Sequence, residues 1–123
     1  MKKFSYLIIP TVLLLLFIFL PKCIDRSDDE DFNTLIENGA IIIDVRTKSE
    51  YNNGHIKDSY NIPLSSISSS KILSLGNVDK NTTIITCCKS GGRSSKAKEK
   101  LKDLGFENVY NGGGWKKLEG KIK

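Results

Sequence analysis

Cysteine is scarce in this chain of 123 residues: there are three in total, and two of them, Cys87 and Cys88, are adjacent. Three cysteines cannot build a disulfide framework, and a bridge between neighbours would close a small, strained ring. Cys and His residues are also nowhere spaced as metal ligands, so neither a metal nor another cofactor is expected. The cysteine content therefore favours a reactive thiol over a structural cross-link.

Aromatic residues are few as well, at 8% of the chain, and they do not interleave with the basic residues. Lys and Arg outnumber Asp and Glu by 19 to 14, and much of the excess lies on Lys96, Lys98, Lys100 and Lys102. Because stacking aromatics and a binding motif are both missing, this charge predicts a solvated helix face and no nucleic-acid partner.

One long hydrophobic run is present, Leu7–Leu20, and Lys2 and Lys3 precede it. Basic residues followed by such a run are typical of an export signal, and residues 4–21 are just long enough to enter a membrane as a span. The small residues of a signal-peptidase site are absent near its end. The positive-inside rule places the N terminus in the cytoplasm and the remainder outside it.

The polar sequence after this run divides the chain. Residues 1–23 are predicted to be a signal peptide or an N-terminal membrane anchor, and residues 24–123 to form one domain. Leu20–Cys23 is similar to a bacterial lipobox, although its two central residues depart from that pattern. The protein is therefore expected in the cell envelope: periplasmic, membrane-anchored or lipidated at Cys23.

Short apolar segments alternate with helical patterns through the rest of the chain. Ala40–Ile43 is a continuous apolar run, Thr82–Cys87 is a second predicted strand, and Ala97, Leu101 and Leu104 recur at helical spacing. Strands that are apolar on both faces are typical of a parallel sheet covered by helices. The predicted fold is α/β, with a central, mostly parallel β-sheet flanked by helices on both faces.

Four local predictions accompany this fold. A capping box at Ser27–Glu30 is expected to begin the first helix. His55 is expected to be a hydrogen-bonded core residue, and the glycine-rich Asn111–Trp115 a flexible turn. Phe106 is expected to pack back on Leu101 in a Schellman C-cap.

The most distinctive stretch, Cys87–Ser94, joins an apolar strand to the following helix. A loop in that place points backbone N–H groups inward and lies at the positive end of the helix dipole, and both stabilise a thiolate. Lys89 and Arg93 add formal positive charge. The stretch therefore predicts a cysteine nucleophile in an anion-binding cradle.

Several segments, in order, resemble the signatures of the rhodanese (thiosulfate sulfurtransferase) family, in its small single-domain exported type. They are Ile43–Arg46 with Glu50–Tyr51 and Gly54–Ile56, then Asn61–Pro63, Cys88–Ser94 and Gly113–Trp115. The third is similar to the family's active-site loop, in which a cysteine opens the loop and an arginine closes it. The resemblance covers essentially the whole predicted domain and implies its rhodanese-like fold.

The resemblance also implies an activity and a set of site residues. It implies a thiosulfate sulfurtransferase that moves sulfane sulfur from thiosulfate, or a related donor, to cyanide or a thiol through a persulfide on Cys88. Asp44 and Arg46 are expected to form a supporting ion pair. The donor would be bound by the loop, namely by Lys89, Ser90, Gly91, Gly92, Arg93 and Ser94.

Two other functions remain open from the sequence. Counted from Cys87, the loop has the Cys-x5-Arg pattern of tyrosine and dual-specificity phosphatases, which would make the chain a cysteine-dependent phosphatase or arsenate reductase. Gly91 lies where the rhodanese pattern requires it when Cys88 is the first residue, and this favours Cys88 as nucleophile. The second alternative is a non-catalytic sulfur carrier or redox module.

Overall fold

The computed structural model describes residues 31–123. Helices and strands alternate along this part of the chain, as the apolar pattern predicts. The elements are α1 (Phe32–Glu37), β1 (Ile41–Asp44), α2 (Lys48–Asn52), β2 (Tyr60–Asn61), a 3-10 turn (Leu64–Ser66), α3 (Ser69–Leu73), β3 (Ile84–Cys88), α4 (Gly92–Asp103), β4 (Val109–Gly114) and α5 (Trp115–Lys121).

The four strands form one parallel sheet in the order β2-β1-β3-β4. Ile43 of β1 lies opposite Thr86 of β3, and Ile84 of β3 lies opposite Val109 of β4. Because every pair is parallel, the carboxyl ends of β1 and β3 meet at one edge of the sheet. The predicted α/β fold with a central parallel sheet is confirmed.

Two hydrophobic clusters cover the two faces of the sheet. One includes Ile43, Ile84 and Leu101, and the other includes Ile42 and Ile85 together with side chains from α1 and α5. Successive side chains of a strand point to opposite faces, so neighbours in sequence enter different clusters. The same alternation separates the two adjacent cysteines, with Cys88 in the first cluster and Cys87 in the second.

The predicted C-cap of the long helix α4 is confirmed. Gly105 has a φ of +94°, in the left-handed region, and the N–H of Phe106 donates to the carbonyl of Leu101 at 3.1 Å. This is the hydrogen bond of a Schellman motif, and it turns the buried Phe106 ring back onto the helix.

Of two predictions in the N-terminal half, one lies outside the described residues and the other needs correction. The capping box predicted at Ser27–Glu30 lies outside the described residues, and the described α1 begins at Phe32 with Asp31 as its N-cap. His55 is exposed and not in the core. Its ring stacks on Tyr51, with centroids 3.7 Å apart, and its Nδ1 lies 2.8 Å from the Tyr51 carbonyl oxygen. The hydrogen bond expected of His55 is present.

The prediction of a flexible turn at Asn111–Trp115 is wrong, because strand β4 continues through the glycines to Gly114. A Cβ at Gly112 would lie 2.8 Å from both the Thr86 carbonyl oxygen and Leu118 Cδ2, and one at Gly114 would lie 2.9 Å from the Lys89 carbonyl oxygen. These glycines therefore allow β4 to approach β3 and the following loop closely, instead of forming a turn.

None of the helices in residues 31–123 has the length and apolar character needed to cross a membrane. The membrane segment predicted at residues 4–21, and the domain boundary at residue 23, lie outside the described residues. Both stay predictions.

Candidate active site

The loop after β3 wraps around the sulfur of Cys88. Cys88 is the last residue of the strand, and α4 begins four residues later at Gly92. The backbone N–H of Gly91 donates to Cys88 Sγ at 2.9 Å, and a φ of +107° at Gly91 explains why glycine is needed there. The side chains of Lys89 and Ser90 are exposed on the outside of the loop.

The surroundings of Cys88 favour its ionised form. Burial opposes ionisation, since Cys88 is only 1% exposed. Hydrogen bonds from the side chain and backbone of Ser94 and from the backbones of Gly91 and Ser90 outweigh that cost, and the pKa of Cys88 is lowered. These groups lie in the first turn of α4 and the loop before it, so the helix dipole adds to the same effect.

Cys87 has the opposite environment. It is fully buried and lies in register with Asp44 of the neighbouring strand. Burial raises the pKa of the Cys87 thiol strongly, and the charges of Asp44 and of an ionised Cys88 raise it further, against a smaller lowering by Arg46. Cys87 is therefore a neutral core thiol, and its side chain lies on the other face of the sheet from Cys88.

Asp44 and Arg46 form a buried ion pair at the end of β1. The Nη2 atom of Arg46 lies 2.7 Å from Asp44 Oδ2 and also donates to the Gly54 carbonyl at 2.7 Å. Its guanidinium lies 4.6 Å from the centroid of the Trp115 ring. Asn61 Nδ2 donates to the carbonyl oxygens of both paired residues, at 3.1 and 2.9 Å. The buried Arg46 thus connects four segments that carry the family resemblance: Ile43–Arg46, Gly54–Ile56, Asn61–Pro63 and Gly113–Trp115.

Arg93 closes the loop, but its guanidinium is already engaged by a carboxylate. Its Nη1 and Nη2 donate to Glu50 Oε1 and Oε2 at 2.7 and 3.0 Å, in a bidentate pair whose side chains are about one-third exposed. The Arg93 hydrogen bonds lower the pKa of Glu50 to about 2. The sequence predicted Arg93 at the site and missed Glu50, although the Thr47–Glu50 capping box places it in the first turn of α2.

Ser94 connects the cysteine to a residue that sequence reasoning also missed. The Ser94 hydroxyl oxygen lies 3.5 Å from Cys88 Sγ, 2.9 Å from the Gly91 carbonyl oxygen and 2.7 Å from Asn111 Oδ1. Asn111 lies on β4, where the sequence predicted a turn. In the sequence, the signal available for Asn111 was its position directly before three glycines. The direction of its side chain follows only once Asn111 is assigned to a strand.

Metal-ligating side chains do not gather in the part of the chain that the structure describes: residues 31–123 hold no group of three His, Cys, Asp or Glu residues able to hold an ion. A surface cavity of about 810 Å³ lies between α1, Ile56–Tyr60 and the end of α5. None of the residues predicted for the site lines it. A groove of about 410 Å³ includes Arg93 and runs along Val45 and Leu64.

A cysteine at the end of a central parallel strand, inside a short loop that leads into a helix, invites comparison with known proteins. The family model described as "Rhodanese-like domain" matches residues 28–121, which is most of the chain. The chain belongs to the rhodanese-like family. The resemblance found in its signature segments is therefore confirmed, and with it the general assignment to sulfurtransferases.

Named relatives of this rhodanese-like chain agree with the family model. Thiosulfate sulfurtransferase PspE of Escherichia coli K12 is 36% identical over 76 residues, which cover 62% of this chain and 71% of that protein. A putative mitochondrial thiosulfate sulfurtransferase of Schizosaccharomyces pombe is 32% identical over 97 residues, covering 71% of this chain and 68% of the relative. A solved structure, a rhodanese with anions from E. coli, aligns with a TM-score of 0.56 at 35% identity, covering 63% of this chain and 88% of its own.

Proposed function

We propose that this rhodanese-like protein transfers sulfane sulfur from thiosulfate, or a chemically related donor, to a thiophilic acceptor such as cyanide or a thiol. The observation that carries the proposal is the environment of Cys88, whose sulfur accepts the Gly91 N–H at 2.9 Å at the N terminus of α4. Two relatives bear the name thiosulfate sulfurtransferase, which supports thiosulfate as the donor.

The first half-reaction is a displacement at the outer sulfur of the donor. The Cys88 thiolate attacks that sulfur, a new S–S bond forms to Sγ, and the S–S bond of thiosulfate breaks with its electron pair leaving on sulfite. The charge then lies on the terminal sulfur of a Cys88 persulfide. Backbone N–H groups of Ser90 and Gly91 stabilise the negative charge on Sγ from which this attack begins.

The second half-reaction returns the enzyme to its starting state. An acceptor nucleophile attacks the terminal sulfur of the persulfide, and the Sγ–S bond breaks with its electron pair on Sγ. With cyanide the product is thiocyanate, and with a thiol it is a persulfide of that thiol. The first half-reaction needs no general base, because Cys88 is already ionised when its pKa is low, and in the second half-reaction the same low pKa makes Sγ a good leaving group.

The surroundings of the two adjacent cysteines support Cys88 as the nucleophile over Cys87. A phosphatase reading of the loop requires a thiolate at Cys87, which is fully buried beside Asp44 and whose pKa is raised. Cys88 has the loop N–H groups and a lowered pKa. The proposed sulfurtransferase therefore uses the only one of these two thiols whose surroundings stabilise the anion.

The donor class follows from the charge around the loop. Lys89 is exposed on it, and the guanidinium of Arg93 is one-third exposed next to it. A small dianion such as thiosulfate is complementary to two cations and a set of backbone N–H groups. We therefore propose that thiosulfate is used in preference to mercaptopyruvate, which carries one carboxylate.

The test is the rate of thiocyanate formation from thiosulfate and cyanide, measured on the full chain and on matched Cys88→Ser and Cys87→Ser variants. We expect Cys88→Ser to abolish turnover and Cys87→Ser to keep it within a few-fold of the parent. Mercaptopyruvate as donor and an aryl phosphate as a phosphatase substrate are measured in parallel. Turnover that survives Cys88→Ser and is lost in Cys87→Ser, or hydrolysis of the aryl phosphate that depends on Cys87, would overturn the proposal.

A further inference from the structure

One hydroxyl proton near the nucleophile has more acceptors than it can serve. The Ser94 oxygen carries a single proton, yet it lies 2.7 Å from Asn111 Oδ1, 2.9 Å from the Gly91 carbonyl oxygen and 3.5 Å from Cys88 Sγ. The Gly91 carbonyl already accepts the backbone N–H of Ser95 at 3.0 Å. Asn111 Oδ1 is therefore the nearest acceptor and the strongest competitor of the sulfur for this proton.

The amide of Asn111 is held with its oxygen toward Ser94. The backbone N–H of Gly113 donates to the same Oδ1 atom at 2.9 Å. Turning the amide over would point its NH₂ group at the Gly113 N–H and would lose that hydrogen bond. Ser94 is fully buried, so water does not offer its hydroxyl another partner.

We propose that Asn111 is a positioning residue that controls how far Ser94 stabilises a charge on Cys88. When Sγ is a thiol, its proton points to the Ser94 oxygen and the Ser94 proton lies on Asn111 Oδ1. When Sγ is a thiolate, Ser94 donates to the sulfur only by giving up its hydrogen bond to Asn111. Asn111 thus weakens the stabilisation of the thiolate without touching the sulfur.

This competition favours the sulfur-loaded state of the enzyme, a consequence that rests on the proposed function. In a Cys88 persulfide the charge lies on the terminal sulfur, and Sγ is a neutral, weak acceptor. Ser94 then keeps its hydrogen bond to Asn111 at no cost. Asn111 therefore disfavours the free thiolate relative to both the thiol and the persulfide, and it leaves the thiolate more nucleophilic, since nucleophilicity rises with thiol pKa.

Titratable and charged groups occur on the elements around the pair, including Lys116, Lys117, Glu119 and Lys121 on α5, which packs against β4, and all of them are kept in the variants below. The others are Asp44 at the end of β1, Arg46 two residues after it, Glu50 on α2, Cys87 on β3, Lys89 in the loop, Arg93 on α4 and Tyr110 on β4. A change that appears only when Ser94 is present is therefore assigned to the Ser94–Asn111 hydrogen bond.

The experiment measures the pH dependence of Cys88 alkylation by iodoacetamide in the full chain, using Asn111→Ala, Ser94→Ala and the double variant. We expect Asn111→Ala to lower the midpoint by about 0.5 to 1 pH unit, the scale of one hydrogen bond, because Ser94 becomes free to donate to the thiolate. Ser94→Ala should raise the midpoint, and Asn111→Ala should have no effect when Ser94 is absent. Asn108→Ala, on the same segment with its amide on Asn81, is the matched control and should leave the midpoint unchanged.

Two results would overturn the proposal: a midpoint that Asn111→Ala raises or leaves unchanged, or one that it lowers equally in the Ser94→Ala background. Should Asn111→Ala fail to fold by circular dichroism, Asn111→Asp keeps the acceptor. It should then raise the midpoint more with Ser94 present than without it, and an equal rise would contradict the proposal. Alkylation does not depend on sulfur transfer, so a failure of the proposed function would appear separately, as missing thiocyanate turnover.

A second readout tests the loaded state. In a buffer of thiosulfate and sulfite, Asn111→Ala should lower the equilibrium ratio of persulfide to free Cys88 by about three- to tenfold, matching the shift in midpoint. An unchanged ratio despite a lowered midpoint would contradict the role assigned to Asn111 in favouring the persulfide.

Discussion

At the scale of single residues, two adjacent cysteines have opposite chemistry because a β-strand turns successive side chains to opposite faces. Cys88 lies at the loop, where its sulfur accepts a hydrogen bond from the backbone N–H of Gly91, whereas Cys87 packs in the hydrophobic cluster under α1 and α5. The difference in environment, more than the identity of the side chain, separates the proposed nucleophile from a core residue.

The first prediction concerns the reactivity of these two thiols. In the Cys87→Ser variant, Cys88 should react with iodoacetamide with a midpoint below the value of about 8.5 for a free cysteine, since its pKa is lowered. The rate should be flat above that midpoint and fall about tenfold per pH unit below it. In Cys88→Ser, Cys87 should react far more slowly at neutral pH, because its thiol is buried and its pKa is raised. Comparable rates for the two would contradict this assignment.

The second prediction concerns the bidentate pair of Arg93 with Glu50. Glu50→Gln keeps the side-chain shape and the capping pattern with Thr47 but removes the charge that compensates Arg93. The KM for thiosulfate should then fall by about two- to fivefold with little change in kcat, as expected for a partly exposed ion pair. A KM that rises would show instead that Glu50 holds Arg93 in the orientation that binds the donor.

The ion pair of Arg93 with Glu50 also makes the stability of the fold depend on pH, and the lowered pKa of Glu50 sets the direction of that dependence. The pKa of Glu50 is lowered to about 2 in the folded protein, so the contribution of the pair to stability is fully present above the ordinary pKa of glutamate, about 4.3. That contribution is lost as the pH falls from there toward 2. Thermal melting of the parent and Glu50→Gln should therefore differ most above pH 5 and converge toward pH 2. A difference that grows on acidification would contradict the assignment.

At the scale of elements, the glycines of β4 show where sequence reasoning failed and why. A run of three glycines is typical of a turn, since local conformational preference is all that a single sequence displays. The strand forms because Gly112 and Gly114 leave room for backbone and side chains of β3, α5 and the loop. That reason is tertiary, so the sequence did not display it.

The third prediction uses this packing. Gly112→Ala should destabilise the protein by about 1 to 3 kcal/mol, because its Cβ would lie within 3 Å of the Thr86 carbonyl oxygen, Ile85 and Leu118. Gly120→Ala is the matched control, since it lies in helix α5 with no atom within 4 Å of the added Cβ. It should be neutral or stabilising by up to about 1 kcal/mol. Urea unfolding of both variants makes the comparison, and equal effects would contradict the close approach of β4.

Helix boundaries were easier to predict than β4. The capping box of Thr47 with Glu50 and the glycine after α4 act through contacts a few residues apart, so they are visible in the sequence. The loop around Cys88 was likewise predictable, because Cys88, Gly91 and Arg93 lie within one short segment. Glu50 and Asn111 were missed because they join that segment from other elements, across 43 and 17 residues of chain.

At the scale of the whole molecule, the buried Arg46 joins the ends of several segments into one frame below the loop. Its partners are the carboxylate of Asp44, the carbonyls of Glu50 and Gly54, and the face of the Trp115 ring. Removing it would leave Asp44 buried without its charge partner, which is among the costlier changes in a protein interior.

The fourth prediction tests that frame. Arg46→Met should destabilise the protein by about 3 to 5 kcal/mol, and the double variant with Asp44→Asn by less, since the second change removes the unpaired charge. Urea unfolding with a double-variant cycle makes the measurement. Equal destabilisation by the single and double variants would contradict a coupled buried pair.

The fifth prediction concerns the N-terminal run, which lies outside the described residues. We propose that residues 1–23 export the protein to the cell envelope and that residues 24–123 carry the domain. In fractionated bacterial cells the full chain should be found with the membranes or in the periplasm, and a chain starting at residue 24 in the cytoplasm. A full chain recovered in the cytoplasm would contradict the proposal.

The central claim is that Cys88 carries the transferred sulfur, and mass spectrometry of the full chain tests it most directly. After exposure to thiosulfate without acceptor, the chain should gain the mass of one sulfur atom, located on Cys88 by comparison with Cys87→Ser and Cys88→Ser. Addition of cyanide should remove that mass and release an equal amount of thiocyanate. A sulfur atom that is retained in the presence of cyanide would indicate a carrier, and loading that requires Cys87 instead of Cys88 would contradict the account.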